Sequence, residues 1–205
     1  MSLPGNFVVI DVETSGLECR DHGLLEIGAV RRGRLCGTVE ELNLRVALEA
    51  GSEADPEALA LNGIRPDQLM AGMEAPEAAG ALVDWLREGR EGRWMMGGKN
   101  PSFDYGFLAR ASEAFRGAVS RRTVDLHSLA CGWAMARMFD VAGEGFATQR
   151  VYDELGVPPE PGEHHALRGA RVEWLGFERL VTGRRLTGED WAWALADTRG
   201  EARMA

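Results

Sequence analysis

Phe7-Val8-Val9-Ile10-Asp11-Val12-Glu13-Thr14-Ser15-Gly16 is an apolar, β-branched run that gives way to acids and then to turn residues. The spacing predicts a buried strand over 7–10, with a turn after it at Ser15-Gly16. In an extended chain residues two apart share a face, so Asp11 and Glu13 project together from the strand's end. Two carboxylates in a partly dry cleft repel unless a proton or a cation neutralises them. Mg2+ or Mn2+ suits such oxygen donors. By itself a D-x-E pair reads as a solvated strand end, and its meaning depends on what accompanies it.

Working outward, 24–30 reads as a second strand, Gly33 as a turn and 35–46 as a third strand with partial alternation. Pro56 to Leu61 followed by Asn62-Gly63 fits a short helix with proline at its start and glycine after its end. A second helix over 74–87 lines up Ala78, Ala81, Leu82, Trp85 and Leu86 on one face. The segment 93–97 is a short inner strand, followed by a helix over 102–114, a brief strand at 122–124 and a helix from 126 to about 139. Gly143 and Gly145 interrupt that helix. Helices over 148–155 and 165–181 flank a proline-broken loop at 156–162, a last helix covers 190–195, and the polar end from Arg199 to Ala205 is expected to fray. Strands first and strand–helix alternation afterwards predict an α/β domain with a mixed central sheet flanked by helices.

The length of 205 residues suits one core. The expected organisation is a domain over 1–183 and a helical extension over 184–205, packed on that domain or frayed from it. No apolar run approaches the ~20 residues that span a bilayer. Met1 to Gly5 has neither a basic stretch nor an apolar core of signal-peptide length, so a cytoplasmic protein with no membrane partner is expected. Cys19, Cys36 and Cys131 are widely spaced and show no zinc-like clustering with His22, His127, His164 or His165, which reads as reduced structural cysteines. A formal charge of -9 opposes a broad electrostatic grip on long duplex, but it does not oppose a metal-dependent site whose acids belong to that total.

Further along the chain, Asn100-Pro101-Ser102-Phe103-Asp104 follows the inner strand and opens a helix, with Asn100 suited to the turn and Phe103 to the core. His164-His165-Ala166-Leu167 then opens the long late helix. Asp-Val-Glu-Thr after an apolar strand, Leu25-Glu26-Ile27-Gly28-Ala29-Val30, Asn62-Gly63-Ile64, Asn-x-x-Phe-Asp and His-x-Ala-Leu together resemble the DnaQ-like 3'-to-5' exonucleases with four acids and a histidine. The resemblance covers about 7–180, and the order and spacing of the motifs carry it. It implies a ribonuclease-H-like fold and a two-metal hydrolase acting on the 3' end of single-stranded or short DNA or RNA. Asp11, Glu13 and Asp104 would be the metal-binding acids, and His164 would be the general base, an imidazole being able to accept a proton near neutral pH. Thr14, Ser15, Leu17, Asn100 and Phe103 fall where the family meets the terminal nucleotide. Asp125 reads as a helix cap rather than a ligand, Glu26 as a residue tuning the cleft from outside it, and His165 as a helix-start or surface residue.

The family pattern ends H-x-A-L-x-D-A, whereas this chain reads His164-His165-Ala166-Leu167-Arg168-Gly169-Ala170, so the fourth acid is absent. Glu173 lies one turn beyond Gly169, about 6 Å along the axis, a gap that its longer side chain would have to bridge in order to substitute. Arg168 could enter the gap or meet phosphate, and a water could take the empty place. The readings in play are an exonuclease with altered metal dependence, a catalytically inactive nucleic-acid binder, and a protein-interaction relic. A homodimer and a polymerase or other protein partner are both compatible with the sequence, and Trp191 and Trp193 would either cover a core edge or form an interface.

Overall fold

β1 (Phe7–Thr14) runs through the acids that were expected to end it. It is held there by antiparallel pairing with β2 (Leu24–Arg32), which sets Asp11 opposite Gly28 and Glu13 opposite Glu26. Lateral hydrogen bonding outweighs the poor strand preference of the charged residues. β3 (Val39–Arg45) pairs antiparallel on the far side of β2 and starts later than predicted, since Gly33 and Thr38 close a turn through a 2.9 Å backbone bond. β4 (Met95–Gly98) and β5 (Val124–Asp125) add in parallel, giving a mixed five-stranded sheet in the order β3-β2-β1-β4-β5. The computed structural model describes residues 2–33, 35, 37–136 and 148–197, without the side chains of Thr148 and Gln149. Cys36, the helix end near Phe139, the Gly143 and Gly145 interruption and the terminal stretch from Arg199 lie outside the described residues.

Helices cover both faces. α1 (Pro56–Leu61) is capped by Asp55, and α2 (Ala75–Gly89) follows. The helix expected over 102–114 is two, α3 (Pro101–Ala111) and α4 (Glu113–Ala118), because Ser112 is extended and its Oγ accepts from Phe115 N at 3.3 Å as the cap of α4. α5 (Leu126–Ala136), α6 (Thr148–Leu155), α7 (Ala166–Thr182) and α8 (Gly188–Ala194) complete the chain. No helix among the described residues is long and apolar enough to cross a membrane.

The alternation of β1 divides the core. Val8, Ile10 and Val12 pack with Leu82, Leu86, Phe107 and Phe115 beneath α2, α3 and α4. Phe7 and Val9 pack with Leu126, Leu155, Ala170, Trp174 and Phe177 beneath α5, α6 and α7. Each of the valine, leucine, isoleucine and phenylalanine side chains contributes roughly 1.5–3 kcal/mol of burial. Asp11 and Glu13 continue the Phe7 and Val9 row, so the apolar stripe under α7 turns acidic at the carboxyl end of the strand.

α7 reaches this end closely because β2 carries Gly28, where a Cβ would strike the backbone of Ala166 and Leu167. Its first turn is further tied by Ala166 N donating to Glu26 Oε2 at 3.4 Å. His165 is the residue preceding the helix, as expected, but it is buried rather than on the surface, with Nδ1 3.7 Å from Glu26 Oε2. α8 lies against α7: Ala194 is buried, and both Trp193 Nε1 and Arg171 reach Glu41 on β3, at 2.6 and 2.5 Å. Trp193 is half-buried and bonds inward, while Trp191 is exposed and donates to Gly156 O at 3.2 Å.

Candidate active site

A cleft of about 450 Å3 opens where β1 and β4 end. Asp11 and Glu13 enter it from β1, Asp104 from the first turn of α3, and His164 from the loop before α7. Asp104 is buried, and its Oδ1 accepts from Val12 N at 3.0 Å, which fixes the carboxylate against the strand bearing the other two acids. His164 is set at the rim by its backbone N–H, which donates to Leu61 O at 2.9 Å. The Asn62-Gly63 motif serves the same junction, since buried Asn62 donates from Nδ2 to Thr14 O at 3.1 Å and holds the end of β1.

Leu17, Asn100 and Phe103 also line the cleft. Leu17 is exposed, and Phe103 stands 5.0 Å from Phe107, joining the cleft wall to the core. Asn100 adopts a left-handed conformation at φ 55°, and its N–H donates to Asp125 Oδ2 at 2.7 Å. The other oxygen of Asp125 accepts from Ser128 N at 2.6 Å, so this acid caps α5 and braces the Asn100 turn. Those bonds hold its carboxyl below the ordinary range despite partial burial.

Two of the expected substrate-contact residues point away from the cleft lining. Thr14 is buried with its hydroxyl on Gly16 O at 2.7 Å, and neither it nor Ser15 lines the cleft. Ser15 is fully buried, donating to Glu53 O at 2.5 Å and accepting from Gly23 N at 3.0 Å. Both hydroxyls shape the turn after β1, because a sealed polar group needs a partner.

Around the missing acid the structure separates the open alternatives. Glu173 does reach the cleft. Arg168 does not fill the gap: it is buried, with Nε 3.2 Å from Glu160 Oε1 and Nη2 bonded to Glu163 O. Gly169 lines the cleft directly beneath Asp11, whose Oδ2 occupies the place a Cβ at 169 would take. Sequence reasoning missed Glu160, Lys99 and Tyr152, all of which line the same space. The only signal for Glu160 was its position in the Pro158–Gly162 loop just before His164.

The acids are electrostatically unsettled. Burial, and then the charges of Glu173, Glu13, Asp104 and Glu160, push the Asp11 carboxyl well above its usual range. Burial, reinforced by Glu160, Glu26 and Asp104 and opposed by Arg168, raises Glu13 to about 9. Burial lifts Asp104 to about 7 against the pull of the Val12 hydrogen bond. Glu173 is raised by burial and then by Asp104, with Lys99 acting the other way. Glu26, outside the cleft, is held low by His165 and Arg45 despite its burial.

No three histidine, cysteine or acidic side chains among the described residues stand tightly enough to grip one ion as they are. The donor set nevertheless suits a hard divalent cation, being all carboxylate oxygen. One of those oxygens, Glu173 Oε2, is buried without any hydrogen-bond partner. Positive charge is what this collection of raised acids lacks.

The sequence model of the RNase T exonuclease family matches residues 8–168. Ribonuclease T of Salmonella typhimurium is 32% identical over 166 residues, covering 72% of this chain and 77% of that protein. Ribonuclease T of an Enterobacter species is 34% identical over the same length, covering 72% and 74%. Among solved structures, E. coli exonuclease I in complex with a dT13 oligonucleotide superposes with a TM-score of 0.65 at 16% identity, over 87% of this chain. The chain spans 41% of that protein. Exonuclease X in complex with 5' overhanging duplex DNA gives a TM-score of 0.59 at 17% identity, over 93% of this chain and 99% of its own. At these identities the solved structures speak to the fold, which is ribonuclease-H-like, and the family match speaks to descent. The chain therefore belongs to the RNase T exonuclease family, within the DnaQ-like 3'-to-5' exonucleases.

Proposed function

We propose that this chain hydrolyses the 3'-terminal phosphodiester of single-stranded or short DNA or RNA, releasing nucleoside 5'-monophosphates, with Mg2+ or Mn2+ as cofactor. The observation that carries the reading is the meeting of Asp11, Glu13, Asp104 and His164, drawn from three separate parts of the chain, in one cleft. Family membership supports hydrolysis over the non-catalytic alternatives, which would rest on Gly169 alone.

Asp11, Glu13 and Asp104 would hold the divalent cation. Bound there, it supplies the positive charge that orients an attacking water and stabilises the departing 3'-oxygen. His164, at the rim, accepts the proton as the water oxygen bonds to phosphorus and the phosphorus bond to the 3'-oxygen breaks. Leu17 and Phe103 form an apolar wall against which an unpaired terminal base can lie. Lys99, at the lip, offers a cation to the phosphate one step along the strand. Lining of this kind favours a splayed end over a paired one, and the exonuclease I complex with dT13 is consistent with that preference in a protein of the same fold.

A 3'-labelled single strand, prepared as DNA and as RNA of one sequence, tests this directly. Titration with Mg2+ and Mn2+ is expected to yield mononucleotides from the 3' end, and Asp11→Ala to reduce the yield to background. Equal yield from Asp11→Ala, or none from the parent with either cation and either strand, would reject the reading. The ratio of DNA to RNA turnover reads out whether the 2'-hydroxyl is recognised.

A further inference from the structure

Losing a ligand at Gly169 leaves a specific question of chemistry: what completes the ring of oxygens on the α7 side of the cleft. Glu173 stands on α7 one turn after Gly169 and lines the same cleft as Asp11, Glu13 and Asp104. Only 7% of its surface is exposed, so its carboxylate is committed to this space rather than to solvent. Its Oε2 lies over the end of β4, where a Cβ on Gly98 would be 3.4 Å from it. That oxygen has no hydrogen-bond partner. A buried carboxylate oxygen with nothing to bond is unfavourable, and a bound cation is one partner that would satisfy it.

Gly169 explains how the two positions fit together. With no side chain at 169, the Asp11 carboxylate occupies the room beneath α7 that the family's fourth acid would otherwise contest. The extra methylene of glutamate and the inward face of α7 then let the position four residues on present an acid to the same cleft. We infer that Glu173 is the fourth cation-binding carboxylate of this site, replacing an acid at 169 from one helical turn further along α7. The inference rests on the exonuclease reading above for the identity of the other three ligands. It goes beyond that reading in assigning to a divalent cation a residue that the family pattern does not place there.

Glu160 is the competing candidate, since it also lines the cleft. Its Oε1, however, already accepts from His165 N at 3.1 Å and from Arg168 Nε at 3.2 Å, which engages it in holding the loop against α7. Glu173 is engaged by the Lys99 backbone but keeps Oε2 buried and without a partner.

The test is Mn2+ binding by the full chain, followed through the electron-paramagnetic-resonance signal of free Mn2+, for the parent, Glu173→Gln, Glu160→Gln and Asp11→Asn. Glutamine keeps the shape of glutamate while removing the charge and turning one acceptor oxygen into an amide donor, and melting of each variant in EDTA checks that it folds. Glu173→Gln is expected to weaken Mn2+ binding at least tenfold or to remove one bound ion, while Glu160→Gln changes it less than threefold. Parent-like Mn2+ binding by folded Glu173→Gln, alongside its loss in Asp11→Asn, overturns the assignment and leaves the exonuclease reading standing. A Glu160→Gln defect larger than that of Glu173→Gln also overturns it. Failure of the parent itself to bind Mn2+ removes the shared premise instead, a pattern distinct from the other two. A purely structural role for Glu173 would alter melting in EDTA without moving the Mn2+ titration.

Discussion

β1 and α7 both carry acids into the cleft, but they place them by different rules. On β1 the positions follow from alternation alone: Phe7, Val9, Asp11 and Glu13 are one row, and pairing with β2 holds the row in line to its end. On α7 a stripe of positions faces the sheet, and which of them delivers a carboxylate depends on how near the axis comes and how long the side chain is. Gly28 brings the start of the helix onto β2, Gly169 leaves its space to Asp11, and Glu173 occupies the next turn. A strand therefore states its site residues by register, whereas a helix offers several candidates and lets packing choose.

The sharpest way to break this comparison is at His164, which enters from the α7 side but from the loop ahead of the helix. His164→Gln should lower turnover of a 3'-labelled strand by about 10²–10⁴-fold, the usual contribution of a positioned base. Mn2+ binding should stay near that of the parent, because the acids remain. A loss of cation affinity equal to that of Asp11→Asn would show that the histidine holds the ion and not the proton.

Removing the cation tests the two acidic contributions together. Glu13 is raised to about 9 and Asp104 to about 7, with Asp11 and Glu173 raised as well, so between about pH 4.5 and 9 the folded chain binds more protons than the unfolded one. The stability that these four acids contribute then falls as pH rises through that window and is fully present only below the unfolded carboxylate values. In EDTA, Tm should drop by on the order of 5 °C or more from pH 5 to pH 8.5. Saturating Mn2+ should recover most of the loss at the higher pH, and a flat EDTA profile would mean the acids are better solvated than their burial indicates. Glu13→Gln should flatten the EDTA profile from the β1 side, and Glu173→Gln from the α7 side.

Gly28→Ala is the smallest of these perturbations and the most local. Its methyl group must push the backbone at Ala166 and Leu167 away from β2, which costs about 1–3 kcal/mol for overpacking of this kind. Thermal melting measures the cost. Because α7 shifts while β1 does not, Mn2+ affinity should fall more than β1 packing alone predicts. Unchanged melting would indicate that α7 can be moved without penalty.

The sheet, the helix order and three of the acids were legible in the sequence, since hydrophobic period and motif spacing are local properties. The apolar run of β1 stops at Ile10, and only the pairing with β2 carries the strand through the acids to Thr14. Ser112 was absorbed into one long helix, although its side chain caps the next. Ser15 reads as a free hydroxyl beside an active-site motif, and only the approach of Glu53 and Gly23 turns it inward. Glu160 was hidden for the same reason: its interaction with Arg168 and the His165 backbone depends on how a proline-rich loop folds back onto α7. Each omission concerns a contact between segments distant in sequence or folded back on themselves, where periodicity carries no information.

The place beneath α7 that Asp11 occupies has a bearing on what position 169 can accept. A carboxylate introduced at 169 would not find a vacant berth, because Oδ2 of Asp11 already stands there. Gly169→Asp therefore meets an occupied seat, and the two residues must be renegotiated together. Such mutual exclusion couples one strand position to one helix position, so neither can be redesigned alone.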